Sequence, residues 1–254
     1  MPRPYILSET NWKTVKSEDY QLAVLPWGAT EAHNYHLPYA TDNIQCDFIA
    51  AESARMAWEA GAKVIVLPTV PFGVNTGQLD IKLNLNLNPT TQLAIIKDIA
   101  ATIQRSKIPK LVIMNGHGGN DFKQIVRETG QFFPDLFIAS LSWFKVVDGN
   151  GYFEDLGDHA GEMETSLMMH FAPEIVLPLS EAGDGKAKRF KISAMQEGWA
   201  WAERSWSQVT RDTGIGNPSN ANETKGKAYF QEVAKKIAGF FTELCKLDNN
   251  DLYE

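Results

Sequence analysis

The chain contains five histidines, and four of them, His33, His36, His117 and His159, fall in three short segments. The first segment runs from Trp27 through Glu31, His33 and His36 to Asp42. The second is NGHGGN at 115–120, and the third is DHAGEMETS at 158–166. Glu31, His33, Asp42, His117 and Glu162 make a mixed imidazole and carboxylate set. Such sets suit divalent ions of intermediate hardness: zinc, manganese or iron. One tetrahedral ion does not need three carboxylates and two imidazoles. A single carboxylate bridging two ions uses the whole set, and such pairs, about 3.5–4 Å apart, can hold a hydroxide between them.

The neighbouring residues refine this expectation. Gly116, Gly118 and Gly119 flank His117 without the GxGxxG spacing or the GK[ST] ending of a nucleotide cradle. Glycine there lets the backbone turn sharply and present His117. His159 is expected to pass a proton to a leaving nitrogen, the alternatives being a further ligand or a hydrogen bond to one. His36 either orients a ligand or caps the loop at Leu37 and Pro38. Glu162 and Glu164 are two residues apart, so on a helix they point about 200° apart. At most one of them is a ligand, and periodicity does not choose. His170, Cys46 and Cys245 read as structural, and Trp199, Trp201 and Trp206 by default as core or interface packing, the alternative being that they line a pocket.

Something must bring the three segments together, and the apolar pattern supplies it. Residues 22–26, 63–67, 110–114 and 136–141 read as buried strands. Helices are expected over 46–60, from an Asn88 N-cap with Pro89 to about 106, and over 121–132. This alternation of continuous apolar strands with helices implies a largely parallel sheet covered on both faces. Each metal-type segment follows one of these strands, where ligands gather in such sheets. Further on, 162–171 reads as a helix, 181–218 as loop-rich, and 223–247 as an amphipathic helix. The stripe of that last helix is Phe230, Val233, Ile237, Phe240, Phe241 and Leu244.

Composition sets the outer limits. At 254 residues, 44% hydrophobic and 22% charged, the chain is ordinary globular protein, not a disordered chain, fibre or coiled coil. With no repeat or long linker, residues 1–254 are expected to form one domain. The net charge of −7 argues against a nucleic-acid or anionic-membrane surface. Lys186, Lys188, Arg189 and Lys191 read as a solvated loop. No apolar run approaches the ~20 residues of a membrane span. The N-terminal residues lack the apolar stretch of a signal peptide. Two cysteines outside any CxxC pair fit a reducing cytoplasm.

The motifs PWGATEAHNYHLP at 26–38 with Thr41 and Asp42, NGHGGN at 115–120, and HAGEMETS at 159–166 together resemble the creatininase (creatinine amidohydrolase) family. GIGNP at 214–218 with Lys225 and Gly226 is similar to it as well. The resemblance implies a three-layer α/β/α fold, a site for two divalent metal ions, hydrolysis of a C–N bond, and a homo-oligomer, often a hexamer. It implies Glu31, Asp42 and His117 on one metal, and His33, Asp42 and a glutamate on the other. Creatininase proper takes that glutamate from the position of Gly119. The HAGExETS motif of other branches supplies it instead, which favours Glu162 over Glu164. His159 matches the family's catalytic histidine. Creatininase also carries a tryptophan shortly before that histidine, where this chain has Tyr152, Phe153 and Asp155. Many members have Phe-Pro-Gly-Thr in the loop after the second strand, where this chain has LDIKLNLNL at 79–87.

The expectation is a hydrolase of a small cyclic amide or formamide, in a branch other than creatininase proper. A bridging hydroxide attacks the carbonyl carbon, and His159 protonates the departing nitrogen. The rivals are a binuclear hydrolase of a C–C or peptide bond and a non-catalytic metal-containing oligomer that binds a small ligand.

Overall fold

Four short apolar runs pair into one parallel sheet in the computed structural model, which describes residues 2–254. They are β1 (Leu22–Trp27), β2 (Val64–Val66), β3 (Lys110–Asn115) and β4 (Phe137–Ser142), in the order β2-β1-β3-β4. Every residue of β1, β2 and β3 is buried, as continuous apolar runs in a sheet covered on both faces must be. The outer strand β4 is largely half-buried. The other outer strand, β2, is covered by the N-terminal segment, where the Val66 N–H donates to the Tyr5 carbonyl (2.8 Å) and the Leu7 N–H to the Val66 carbonyl (2.9 Å).

The period-2 alternation of the strands divides the core in two. Leu22, Val24, Val64, Val66, Val112 and Met114 face one layer of helices. That layer holds α1 (Thr41–Glu59) and the last long helix, Glu223–Lys246. Ala23, Leu25, Trp27, Ile65, Leu111 and Ile113 face the other layer, α2 (Pro89–Arg105) and α3 (Lys123–Phe132). The result is the three-layer α/β/α arrangement expected from the sequence.

The helix expected to start at 46 begins at Thr41. Its first turn is polar because it belongs to the site, so apolar periodicity starts too late to mark it. Asp42 thereby sits in the first turn of α1, where a carboxylate suits the helix dipole. Asn88 precedes Pro89 as expected, but its side chain accepts from Asn86 Nδ2 (2.8 Å) and makes no cap hydrogen bond.

The helices α4 (Glu162–Phe171) and α5 (Glu223–Lys246) complete the layer on α1. Val233, Ile237, Phe241 and Leu244 of α5 are buried against the sheet side, with Phe230 and Phe240 packed at the margin. The two helices meet very closely at Gly226, where a Cβ would lie 2.0 Å from the Ser166 carbonyl oxygen. That contact sets α5 beside the first turns of α4. Short helical turns at Ser193–Gln196 and Trp206–Val209 lie within the loop-rich stretch. No helix among the described residues is long and apolar enough to cross a membrane.

Candidate metal centre

Trp27 and Asn115 pair at the carboxyl ends of β1 and β3, so the loops after them emerge side by side. The first loop turns back on itself at Asn34, whose φ of 53° is left-handed. Asparagine tolerates that conformation, and the Asn34 side chain holds the turn by bonding the Tyr35 and Gly183 N–H groups. Glu31 and His33 are left buried on one arm of the turn. In the second loop Asn115 Oδ1 accepts the His117 N–H (3.1 Å), and Asn115 Nδ2 donates to the His117 carbonyl (2.9 Å). Gly119 is essential to this geometry: a Cβ there would lie 2.5 Å from His117 Nε2.

Three imidazoles share one design. His33 Nδ1 lies 3.0 Å from the Glu31 carbonyl, His117 Nε2 3.0 Å from the Val74 carbonyl, and His159 Nε2 2.8 Å from the Ala32 carbonyl. A carbonyl only accepts, so each of those nitrogens carries the proton. The other nitrogen of each ring turns inward to carboxylates. His33 Nε2 is 3.1 Å from Asp42 Oδ1, and His117 Nδ1 is 3.0 Å from Glu31 Oε1 and 3.1 Å from Asp42 Oδ2. His159 Nδ1 is 3.6 Å from Glu31 Oε1. Imidazoles pinned through one nitrogen to a carbonyl, with the other aimed at carboxylates, have the orientation of metal-ligating histidines.

The carboxylates fit the same conclusion. Asp42 gives one oxygen to each side, and its buried Oδ2 accepts no hydrogen bond despite the nearby His117 ring. Lone pairs facing lone pairs in a buried site call for cations between them. Two compact donor groups result, Glu31–Asp42–His117 and His33–Asp42–Glu164, and they share Asp42. A third grouping joins Glu31, His33 and His159. The chemistry of the set fits divalent ions of the zinc or manganese type.

The imidazoles and carboxylates also favour one another's charged forms. Burial opposes charge on His33, yet Asp42 lifts its pKa to about 10. His117 is likewise raised, against burial, by Glu31 and Asp42. Asp42 is held well below the usual carboxylate range against burial by His33 and His117, and Glu31 is lowered by His117 and His159. Burial raises Glu164, with His33 and His159 pulling the other way. Gln78 Nε2 donates to Glu31 Oε2 (2.6 Å), so the loop after β2 orients this carboxylate.

Glu162 departs from expectation. Its carboxylate is fully buried but faces away from the cluster, accepting the backbone N–H groups of Glu154 (2.8 Å) and Asp155 (2.9 Å) and pairing with Lys225. Glu164, on the opposite side of α4, enters the cluster instead. The structure gathers Glu31, His33, Asp42, His117 and His159 with Glu164, and leaves Glu162 outside the cluster. Helical geometry foresaw that only one could enter. The rotation of α4 that selects Glu164 comes from its packing on α5. Glu164→Gln should lower bound metal by about one ion per chain while Glu162→Gln retains it. Elemental analysis of both variants decides this, and the reverse result would restore Glu162 as the ligand.

His36 hydrogen-bonds Thr165 Oγ1 (2.9 Å) on α4 and touches no carboxylate of the cluster. Burial and the neighbouring His33 lower its pKa to about 4, so it ties the first loop to α4 as a neutral ring. His170 lies 3.6 Å from Glu223, away from the site. Both cysteines are free and buried. A cavity of about 900 Å³ opens on the cluster, lined by Glu31, Asp42, His117, His159 and Glu164 and, further out, by Trp201 and Arg204. The packing expectation holds for Trp206, whose ring lies edge-on to His159 (5.5 Å). Trp199 and Trp201 are 74% and 84% exposed, so neither packs in the core, and Trp201 borders the cavity.

The family model for creatininase, described as creatinine amidohydrolase, matches residues 8–241. The chain belongs to the creatininase family. The creatinine amidohydrolase of Pseudomonas putida is 28% identical over 203 residues, covering 69% of this chain and 75% of that protein. The mycofactocin precursor peptide peptidase of Mycobacterium ulcerans (strain Agy99) is 23% identical, covering 83% and 80%. A crystal structure of a Bacteroides fragilis NCTC 9343 protein, assigned as a creatinine amidohydrolase, is 44% identical over the full length of both chains, with a TM-score of 0.93. Creatininase structures in Zn-Zn and Mn forms share the fold at 22% identity, with TM-scores of 0.79 and 0.76, each covering 96% of this chain and 99% of theirs. This creatininase-family chain thus sits beside relatives of both amide and peptide chemistry, within a fold known with divalent metals.

Proposed function

We propose that the protein is a metal-dependent amidohydrolase that cleaves the C–N bond of a small cyclic amide or formamide. The observation that carries this is the shared-carboxylate cluster, two donor groups joined at Asp42 and opening on a cavity. Glu31, Asp42 and His117 would hold one divalent ion, and His33, Asp42 and Glu164 the other. Zinc or manganese is the metal proposed. Bound there, such a pair supplies an activated water and an electrophile for the substrate carbonyl.

The chain's own residues do the rest. Gln78 keeps Glu31 aimed at the cluster, and the carbonyls of Glu31, Val74 and Ala32 keep the three imidazoles in one tautomer. His159 lines the cavity, and its inward Nδ1 takes a proton from the attacking water and hands it on to the leaving nitrogen. Trp206 packs edge-on against that imidazole and lines the cavity beside it.

A peptide amide is the second reading. The cavity lies near the top of the roughly 300–1,000 Å³ range of small-molecule sites, which leaves room for more than one ring. A homo-oligomer, up to a hexamer, is part of the proposal, supported by Leu79 and Leu83, exposed on the loop beside the site. So is a reducing cytoplasmic setting, supported by the free cysteines. No nucleic-acid or membrane partner is proposed.

The test is to assay protein loaded with zinc or manganese against creatinine, lactams, N-formyl amines and short peptides. Cleavage of a cyclic amide or formamide, abolished by a chelator and restored by metal, is the expected result. Cleavage confined to peptides moves the assignment to the second reading. A ligand retained unchanged by metal-loaded protein, as seen by mass spectrometry, sinks both.

A further inference from the structure

We propose that Glu162 and Lys225 form a clamp, with the carboxylate buried and the lysine half-buried, that positions His159; the inference rests on the reading of His159 as the proton-handling group. Glu162 Oε2 accepts two successive backbone N–H groups, those of Glu154 and Asp155, and Oε1 meets the Lys225 ammonium. Lys225 also donates to the Asn220 carbonyl (3.2 Å) and lies 3.6 Å from Glu154 Oε1. One carboxylate thus joins three pieces of chain: the turn leading to His159, the first turn of α4 that carries Glu164, and the first turn of α5.

That turn is under tight constraint beyond the clamp. Asp155 Oδ2 accepts the Asn217 N–H (3.0 Å). Gly157 has a φ of +67°, and a Cβ there would lie 2.8 Å from the Ile215 carbonyl oxygen. The N–H groups of Asp158 and His159 both donate to that carbonyl (2.7 and 3.0 Å), and the Ile215 N–H donates to the His159 carbonyl (2.8 Å). Ala160, with a φ of 50°, then swings the chain into α4. The His159 ring therefore reaches the Ala32 carbonyl only while residues 154–157 keep their path. A buried carboxylate holds two amides in that path well, but only with a cation to balance it. Lys225 is that cation. In Glu162→Gln the side-chain NH2 group or its carbonyl must face the ammonium or the amides, and a neutral amide cannot serve both. In Lys225→Met the carboxylate stays buried without its partner.

The experiment uses zinc-loaded protein with 15N-labelled histidine. His33, His117 and His159 should each show an imidazole N–H signal shifted downfield by its carbonyl partner, with the His159 signal assigned by its loss in His159→Asn. In Glu162→Gln and Lys225→Met the His159 signal should vanish or broaden, with those of His33 and His117 kept and bound zinc at the wild-type level. Backbone amides over 154–160 should exchange about 10–100-fold faster, as expected on loss of charge-assisted hydrogen bonds. Lys225→Arg, which keeps the cation, should restore both. An unchanged His159 ring signal or unchanged amide protection in both variants overturns the clamp. Loss of zinc in Glu162→Gln also overturns it, by making Glu162 a ligand. Failure of the wild-type protein to hydrolyse any amide would sink the hydrolase reading but leave this result standing, since neither readout uses a substrate.

Discussion

Asp42→Ala is expected to take bound divalent metal from about two ions per chain to less than one. The two Asp42 oxygens face opposite sides of the cluster, one toward His33 and the other toward His117. Without them each side keeps two side chains, Glu31 with His117 and His33 with Glu164, too few for a tight site. The same change leaves two buried imidazoles each short of a carboxylate partner, so some loss of stability should accompany it. Elemental analysis after gel filtration reads the metal, and circular dichroism confirms the fold. A variant that is folded and still holds the full pair would rule out Asp42 as the bridge.

The second large effect is at His159. His159→Ala should keep its metal and lose about 10²–10⁴-fold in turnover, the usual contribution of a placed general acid. The geometry behind this is asymmetric. His33 and His117 each have a carboxylate oxygen at about hydrogen-bond distance, whereas His159 Nδ1 stands 3.6 Å from Glu31. His159 also borders the cavity, with its ring 4.1 Å from that of His33 and edge-on to Trp206. It is therefore at the edge of the donor set, facing substrate. Metal content and turnover on the best amide of the panel must be measured on the same preparation. A variant that emerges without metal would make His159 a ligand, as its grouping with Glu31 and His33 allows.

Much of this was legible in the chain itself. Glu31, His33, Asp42, His117 and His159 were marked by type, by clustering of the histidines and by position after strands. The parallel sheet followed from continuous apolar runs such as residues 110–114, because a strand buried on both faces has no polar alternation to hide it. The start of α1 was not legible, since Thr41, bonded to the Pro38 carbonyl, and Asp42, which serves the site, break the apolar period. Gln78, which orients Glu31, carried no signal at all: a single amide in a loop says nothing of its partner 47 residues away.

The choice between Glu162 and Glu164 marks the boundary most sharply. Sequence alone determined that a helix would point them apart and that one carboxylate could join the cluster. Which one depends on how α4 is rotated about its axis. That rotation is set by the close approach of Gly226 to Ser166 and by the pairing of Glu162 with Lys225, 63 residues further along the chain. Local sequence specifies the donors, their chemistry and the strand ends that carry them. Long-range packing assigns the second glutamate to structure or to metal, because a helix can turn any face inward until its neighbours fix it.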